Sequence, residues 1–190
     1  MRLILATRNE HKTREMRALL DGHEIEPLPD HVELPPEDGE TFAENALGKA
    51  RAAAAALGVP VIADDSGICV PALGGAPGVR SARWAGERAT DAENLDKLRE
   101  TAPRAADLEY VCVLAFVDPA AGLEETFEGR CRGVLVDHPR GEGGFGYDPV
   151  FLPLDDHSGR TMAELTMREK DSISHRGRAA RLFLGWLASR

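Results

Sequence analysis

The stretch TFAENALGKARAAAAALGVPVIADDSG, residues 41–67, decides the fold. Thr41 followed three residues later by Glu44 matches a capping box, in which both side chains bond to backbone N–H groups at a helix start. The alanine-rich run after it predicts a helix to Leu57, because alanine has a high helix propensity and Gly58 is a common helix stop.

An acidic pair follows this helix at the point where a short apolar strand, residues 61–63, is predicted to end in Asp64 and Asp65. Sites in α/β proteins lie beyond the carboxyl ends of strands, and adjacent carboxylates repel each other, so a partner is expected. Mg²⁺ prefers hard oxygen ligands and often takes one or two carboxylates. The alternative is a solvated turn, because Asp-Ser-Gly is favourable turn chemistry.

The rest of the chain predicts an α/β protein of one domain, residues 1–190, with a two-lobed structure and a mixed central β-sheet flanked by helices. Strand and helix alternate at first, and a strand-rich section follows that would form the second lobe. The other predicted strands are residues 3–6, 25–28, 110–117 and one or two within 124–136. The other predicted helices follow residues 7–9 and cover residues 91–101, 161–168 and 174–188, the last with Ala179, Leu182, Phe183, Trp186 and Leu187 as its apolar face.

Composition and charge exclude several classes of protein. The 190 residues are 43% hydrophobic and 29% charged, an ordinary globular balance. No apolar run approaches the roughly 18 residues of a membrane span, and the N-terminus lacks the features of a secretory signal, so we expect a cytoplasmic protein without membrane contact. A net charge of −9 disfavours general binding to nucleic acid. Cys69, Cys112 and Cys131 are odd in number and far apart, which favours inert thiols.

A candidate anion site follows the first strand, at Thr7-Arg8-Asn9-Glu10-His11-Lys12. Backbone N–H groups and the dipole at a helix start favour an anion. Thr7 and Asn9 can donate hydrogen bonds, and Lys12 adds a full charge. The alternative is a plain N-cap beside a solvated lysine.

The helix that starts after Thr41 carries Asn45 and Lys49, which are four residues apart and share a face. Lys49 either reaches a phosphate or is solvated. Glu37 and Glu40 lie just upstream, and either could supply a further oxygen to a metal.

The glycine-rich segment of residues 141–149 formally contains GxGxxG. A dinucleotide fingerprint is rejected because Asp148-Pro149 stands where a helix should open. Phe145 and Tyr147 on a close-approach loop favour stacking on a base. The alternative is a wide turn whose aromatic rings fold back onto the core.

Basic side chains gather at the start of the last predicted helix, where the helix dipole disfavours them unless they are paired. They are Lys170, His175, Arg176 and Arg178. This mismatch indicates an anionic or acceptor-rich partner. The alternative is pairing with nearby acids such as Glu164 and Glu169.

Together these segments resemble the inosine triphosphate pyrophosphatase family, the XTP/dITP diphosphatases. The matching stretches are LATRNEHKTREM, ETFAENALGKA, ADDSGICVPALGGAPGVRSARWAG, GGFGYDPVF and AELTMREKDSISHRGRA. They follow the family's order from residue 3 to about residue 180, and ADDSG, GGFGYDP and SHRG together are very specific.

The resemblance implies a magnesium-dependent enzyme, typically a homodimer, with its site in the cleft between two lobes. Asp65 would be the proton acceptor and a metal residue, and Glu37 the second metal residue. The implied substrate-binding residues are Thr7, Arg8, Asn9, Glu10, His11, Lys12, Lys49, Ser66, Phe145, Gly146, Tyr147, Asp148, Lys170, His175 and Arg176. Two positions depart from the family pattern: Arg8 stands where Gly is usual, and Pro71 stands where an acid is common.

The implied activity is hydrolysis of the deaminated purine triphosphates ITP, dITP and XTP to monophosphate and pyrophosphate, which cleanses the nucleotide pool. Carboxylates would orient a water for in-line attack, and Lys12 and Lys49 would stabilise charge on the pyrophosphate. A donor aimed at the 6-oxo group, from Arg176 or the His175 region, would select the base. Two alternatives stay open: a pyrophosphatase for other modified or pyrimidine triphosphates, and a nucleotide-binding sensor without catalysis.

Overall fold

The computed structural model describes all residues, Met1–Arg190, and contains a six-stranded sheet in the order β2-β1-β3-β4-β5-β6. The strands are β1 Arg2–Leu5, β2 Glu24–Pro27, β3 Val61–Cys69, β4 Asp107–Asp118, β5 Leu123–Leu135 and β6 Phe151–Pro153. The α-helices are α1 Glu10–Leu19, α2 Phe42–Leu57, α3 Asp91–Thr101, α4 Met167–Ile173 and α5 His175–Ala188. Short 3₁₀ helices cover Pro71–Leu73, Gly78–Arg83, Asp148–Val150 and Met162–Glu164.

The sheet is mixed, as the sequence predicts. Strand β1 is parallel to both β2 and β3, whereas β5 and β6 are antiparallel. The neighbours β4 and β5 are joined only by residues 119–122, and a connection this short allows only an antiparallel pair. The predicted α/β fold with a mixed sheet and flanking helices is therefore confirmed.

None of the helices combines the length and the apolar character needed to cross a membrane.

Helix α2 forms as its local sequence dictates. Thr41 Oγ1 accepts a hydrogen bond from the N–H of Glu44, and the Glu44 carboxylate accepts one from the N–H of Thr41. Gly58 ends the helix in the left-handed conformation, with φ of 66°, which glycine adopts without steric cost. The predicted capping box and stop are both confirmed.

The chain divides into two compact units. Unit 1 contains residues Met1–Asp65, Cys112–Gly129 and Arg176–Arg190, and unit 2 contains Ser66–Val111 and Arg130–His175. The location of a substrate in a cleft between lobes stays a prediction.

Unit 1 has apolar side chains on both faces of its strands, because alternate residues of a strand point to opposite faces. One face packs against α2 and includes Ile4, Ala6, Val61, Ala63, Val113 and Ala115. The other packs against α1 and α5 and includes Leu3, Leu5, Ile62, Cys112, Leu114 and Phe116. Strands buried on both faces explain the continuous apolar runs in the sequence.

Unit 2 has its own core. It is built from Ile68 and Val70, from Leu108 and Tyr110 of β4, from Leu95 and Leu98 of α3, and from Cys131, Tyr147, Val150, Phe151, Met162 and Leu165. Cys112 and Cys131 are buried, and burial raises the pKa of the Cys112 thiol to about 12, which keeps it protonated and inert.

Three details of the predicted fold are wrong. Strand β3 does not end at residue 63 but continues to Cys69, because Asp64 and Asp65 are buried with partners that override their turn propensity. The helix predicted for residues 161–168 is two elements, since Thr161 and Thr166 each start their own capping box. Leu182 is 54% exposed, because Ala180 and not Leu182 completes the buried face of α5 beside the correctly predicted Ala179 and Phe183.

Gly133 on β5 is a position where a side chain has no room. An added Cβ would lie 2.4 Å from Phe151 Cε1 and 2.7 Å from the carbonyl oxygen of Leu152. We expect Gly133→Ala to lower the free energy of unfolding by about 1–3 kcal/mol, the usual cost of overpacking. Urea denaturation measures it.

Gly185→Ala is the matched control, because Gly185 is exposed on α5 and no atom lies within 4 Å of an added Cβ. It should raise the stability by about 0.5–1 kcal/mol. Equal stability of the two variants would contradict the close packing of β5 on β6.

Candidate active site

Asp64 in the middle of β3 is the centre of a buried group of charges in unit 1. Lys12 Nζ lies 3.1 Å from Asp64 Oδ2, and Nε and Nη2 of Arg176 both donate to the same oxygen at 3.3 Å. Lys49 Nζ donates to the main-chain carbonyl of Asp64 at 2.7 Å. One residue therefore brings together three cations from α1, α2 and α5.

The positive charges around Asp64 determine its ionisation state. Burial by itself would raise the pKa, but the charges of Lys12, Arg176 and Lys49 outweigh it and hold the pKa of this carboxyl well below its usual value. Asp64 is completely buried, and its Oδ1 atom has no hydrogen-bond partner. Asp64 is thus a permanent buried anion with one oxygen still unsatisfied.

Arg176 has a second acidic partner. Its Nη1 donates to Oε2 of Glu15 on α1. Burial would lower the pKa of Arg176, but Asp64 and Glu15 raise it above its ordinary value, so the guanidinium stays charged. Asp64 and Glu15 therefore hold this guanidinium from two sides of the charge cluster.

Asp65, the next residue on β3, is 4% exposed and differs electrostatically from Asp64. Its Oδ2 accepts a hydrogen bond of 2.9 Å from Nδ2 of Asn45 on α2. Burial raises the pKa of Asp65, and the charge of Glu37 adds to this, while Lys12 and Lys49 oppose it. The two neighbouring aspartates therefore have pKa values shifted in opposite directions, a pattern that separates acid–base roles.

Glu37 lies in the segment before α2 and pairs with Lys49 Nζ. Burial would raise the pKa of Glu37, but Lys49 and then Lys12 lower it below the usual value, so the carboxylate is ionised. The pKa of Lys49 is raised, since Asp64, Glu37 and Asp65 outweigh the effect of burial. Lys49 is therefore an embedded counterion and not the solvated lysine of the alternative interpretation.

The donor set suits a magnesium ion. Asp65 and Glu37 repel each other electrostatically, which a shared cation would relieve. Asp64, whose Oδ1 is unsatisfied, directly precedes Asp65 in the sequence. No group of three or more His, Cys, Asp or Glu side chains is arranged to hold a metal ion. Mg²⁺ does not need one, because it commonly uses one or two carboxylates with waters and substrate phosphates.

The segment before α1 is organised as an N-cap. Asn9 Oδ1 accepts hydrogen bonds from the N–H groups of His11 at 2.9 Å and Lys12 at 3.2 Å, and Thr7 Oγ1 accepts one from the N–H of Asn9. The cap of the alternative interpretation is therefore present, but its lysine is not solvated, since the Lys12 side chain is 13% exposed and contacts Asp64.

Arg8 points to the segment after β2. Its guanidinium donates to the carbonyl oxygens of Leu28 and Pro29, each at 2.9 Å, and of Val32 at 3.0 Å. These contacts occupy the group that the sequence predicts to bind substrate, and they tie the loop to residues 28–32. An open cavity of about 750 Å³ beside it is lined by Thr7, Arg8, Glu10, Thr13, Arg14, Arg17 and residues 27–30.

In unit 2, Asp148 organises the glycine-rich loop. Its Oδ2 accepts a hydrogen bond from the N–H of Phe145 at 2.9 Å and pairs with Lys170 Nζ at 2.7 Å, while Oδ1 accepts one from the hydroxyl of Tyr110 at 3.1 Å. A Cβ at Gly144 would lie 2.0 Å from Asp148 Oδ2, so the loop requires glycine there.

The two aromatic residues of this loop have different environments. Tyr147 is 5% exposed and its hydroxyl donates to the carbonyl of Ser81 at 2.7 Å, so it packs into the core, as in the alternative interpretation. Phe145 is partly exposed, and Lys170 Nζ lies 5.2 Å from its ring centroid. Of the two rings, that of Phe145 is therefore the more accessible. The Gly146 N–H donates to Asp91 at 2.9 Å.

His175 stacks on Tyr110, with ring centroids 4.6 Å apart and planes 15° apart. It is 6% exposed, whereas Ser66 on β3 is partly exposed. Glu10 and His11 are exposed on α1.

The sequence analysis missed two residues that organise these groups, Glu15 and Tyr110. The available signals were the carboxylate of Glu15, three residues after Lys12 on one helix face, and the single hydroxyl of Tyr110 in an apolar strand. The acidic partners suggested for the basic residues are wrong: Glu164 pairs with Arg140 and Glu169 with Arg160. Side chains distant in the sequence hold Lys170 and Arg176 instead.

Comparison with known proteins identifies the family. The model of the Ham1 family matches residues 3–186. The chain is 50% identical to a dITP/XTP pyrophosphatase of Frankia alni, over 95% of this chain and 94% of that one. It is 47% identical to a dITP/XTP pyrophosphatase of Geobacter sulfurreducens, over 97% of each. The solved structure of a HAM1 protein from Coxiella burnetii covers all of both chains with a TM-score of 0.88 and 38% identity. The chain belongs to the Ham1 family.

Removal of the buried guanidinium should destabilise the protein. Arg176→Met removes a buried cation from Glu15 and one of three cations from Asp64, so we expect a loss of about 3–5 kcal/mol in the free energy of unfolding. A second change, Glu15→Gln, should restore part of this loss. Chemical denaturation of the single and double variants measures both effects.

Arg51→Met is the control, because the Arg51–Glu124 pair is exposed and should contribute little. A loss in Arg176→Met no larger than in this control would contradict the importance of the buried pair.

Proposed function

We propose that this protein hydrolyses the deaminated purine nucleoside triphosphates ITP, dITP and XTP to nucleoside monophosphate and pyrophosphate. The observation that carries the proposal is the carboxylate pair formed by buried Asp65 and partly exposed Glu37, beside the cations Lys12 and Lys49. The names of the Frankia and Geobacter relatives support the substrate class. The reaction removes non-standard nucleotides from the triphosphate pool.

Asp65 is the proposed general base. Its pKa is raised by burial, which moves a carboxylate towards the range in which it accepts a proton from water effectively. The water's oxygen attacks the α-phosphorus in line, its proton passes to Asp65, and the bond to the bridging oxygen of the pyrophosphate breaks. Lys12 and Lys49 stabilise the charge that develops on the leaving group.

Glu37 and Asp65 are the proposed magnesium residues. When bound there, the ion would supply positive charge against the phosphate oxygens. Asp64 has a supporting role, because its contacts hold Lys12, Lys49 and Arg176 in place.

The residues of unit 2 are proposed to recognise the base. Phe145 stacks on the purine, Asp148 and Lys170 hold the loop that carries it, and His175 provides the donor for the 6-oxo group. A 6-amino purine would place a donor against this donor, and buried sites of this kind reject such analogues by about 10⁴-fold.

The proposed homodimer rests on the family resemblance, and the proposed cytoplasmic location rests on the sequence features described above. The net charge of −9 argues against nucleic acid as a partner. Size-exclusion chromatography with light scattering tests the dimer directly.

The first test of function is a substrate panel. With Mg²⁺, the protein should release pyrophosphate from ITP, dITP and XTP with kcat/KM about 10⁴-fold higher than from ATP. Chelation of the metal should stop release from all of them. A separate phosphate assay distinguishes pyrophosphate from phosphate release. Preferred turnover of pyrimidine triphosphates, or tight binding without any release, would refute the proposal.

The second test removes the proposed general base, Asp65. Asp65→Asn should lower kcat for ITP by about 10²–10⁴-fold, because a general base contributes this much. The protein should stay folded by circular dichroism, since a neutral amide suits a buried position. Asp107→Asn is the control, because Asp107 is exposed in unit 2 and should keep normal turnover. Near-normal turnover in Asp65→Asn would refute this role.

A further inference from the structure

Helix α2 carries two side chains that each connect the segment of residues 37–39 to strand β3. Asn45 accepts a hydrogen bond from the N–H of Gly39 at 2.9 Å and donates one to Asp65 Oδ2 at 2.9 Å. Lys49, one turn later, pairs with Glu37 and donates to the carbonyl of Asp64 at 2.7 Å. The two carboxylates proposed to hold magnesium, Glu37 and Asp65, are thus both held by α2.

The orientation of the Asn45 amide follows from its partners. The N–H of Gly39 can only donate, so the amide atom that faces it must be the oxygen Oδ1. The nitrogen Nδ2 must then face Asp65, whose carboxylate can only accept when ionised. A flipped amide would place two donors against each other on one side and two acceptors on the other.

The backbone around Gly39, which donates to the Asn45 amide, is also fixed. Glu44 accepts hydrogen bonds from the N–H groups of Glu40 and Thr41, which anchors the chain directly after Gly39 to α2. Gly39 itself lies so close to α2 that an added Cβ would be 2.7 Å from Asn45 Oδ1 and 2.9 Å from Glu44 Cβ. Asn45 is 5% exposed, so its amide depends on these two protein contacts.

We propose that Asn45 is a positioning residue that acts through Asp65, and that Gly39 is required because it lets the Asn45 amide adopt this orientation. The hydrogen bond to Oδ2 fixes the plane of the Asp65 carboxylate and so presents the carboxylate to magnesium together with Glu37. This inference rests on the proposed function of Asp65, because Asn45 itself contacts neither water nor phosphate in this role.

The expected effect of losing the Asn45 side chain can be estimated from other metal sites, in which residues that hydrogen-bond to a metal ligand orient that ligand. Loss of a hydrogen-bonded partner of a ligand typically lowers metal affinity or activity by about 10–100-fold. We therefore expect Asn45→Ala to weaken Mg²⁺ binding and lower kcat by about 10–100-fold, with little change in KM for the nucleotide at saturating Mg²⁺.

The matched control is Asn94, a buried asparagine on α3 with the same bridging geometry. Its Oδ1 accepts a hydrogen bond from the N–H of Ala85 at 2.8 Å, and its Nδ2 donates to the carbonyl of Ala82 at 3.1 Å. Asn94→Ala removes a buried bridging amide that contacts no carboxylate. It should lower the melting temperature, yet leave kcat and the Mg²⁺ requirement unchanged.

A second pair of variants leaves Asn45 in place. Gly39→Ala should force the amide away from Asp65 and reproduce the loss in Mg²⁺ affinity and kcat. Gly48→Ala is its control, because Gly48 lies on the same helix and the nearest atom to an added Cβ is Pro35 Cγ at 3.9 Å. It should keep wild-type Mg²⁺ binding and turnover.

The experiment has two readouts. Mg²⁺ alone is titrated into the nucleotide-free wild type and the four variants by calorimetry, and pyrophosphate release from ITP is measured against Mg²⁺ concentration. Weakened Mg²⁺ binding in Asn45→Ala and Gly39→Ala, but not in the two controls, supports the inference. If Asn45→Ala does not fold, the comparison of Gly39→Ala with Gly48→Ala tests the inference.

Failure of the inference is distinguishable from failure of the proposed function. If the wild type releases no pyrophosphate, the function is refuted, whereas the titration without nucleotide still tests Asn45. If the wild type is active and both test variants match their controls in Mg²⁺ affinity and kcat, Asn45 is a structural residue only and the inference is overturned.

Discussion

The buried carboxylate of Asp64 is the interaction on which unit 1 depends. Arg176 and Lys12 contact its side chain, and Lys49 contacts its carbonyl, so helices α5, α1 and α2 each send a cation to one residue of β3. Burial of an unpaired charge costs several kcal/mol, which means that none of these cations could occupy its position alone. The charges therefore specify how the three helices pack on the sheet, in addition to the apolar contacts.

The balance of charge around Asp64 also gives the site its chemistry. Three cations, Lys12, Lys49 and Arg176, face four carboxylates: Glu15, Glu37, Asp64 and Asp65. With every group ionised, one negative charge is left without a compensating cation. Burial raises the pKa of Asp65, so Asp65 is the carboxylate on which this excess charge is least stable. A divalent cation is the natural complement of such a group, and without it Asp65 is the carboxylate that most readily accepts a proton.

Unit 2 uses the same principle on a smaller scale. Asp148 holds Lys170, Tyr110 and the backbone of Phe145 at once, so the glycine-rich loop acquires a defined shape. In each unit an aspartate with several donors organises the residues that surround it. Such networks are stabilising only when most members are paired, which accounts for the close spacing of their atoms.

The sequence by itself determined the elements whose signals are local: the capped helix α2, the apolar strands, the mixed α/β class and the candidate site residues around Asp65, Lys12 and His175. Capping boxes, apolar periodicity and motif spacing are properties of neighbouring residues. Only the tertiary structure decided which charges meet, because Glu15 and Arg176 are 161 positions apart and Asn45 and Asp65 are 20 apart. It also extended β3 through the acidic pair, since buried cations replace the water that a turn would have offered those carboxylates.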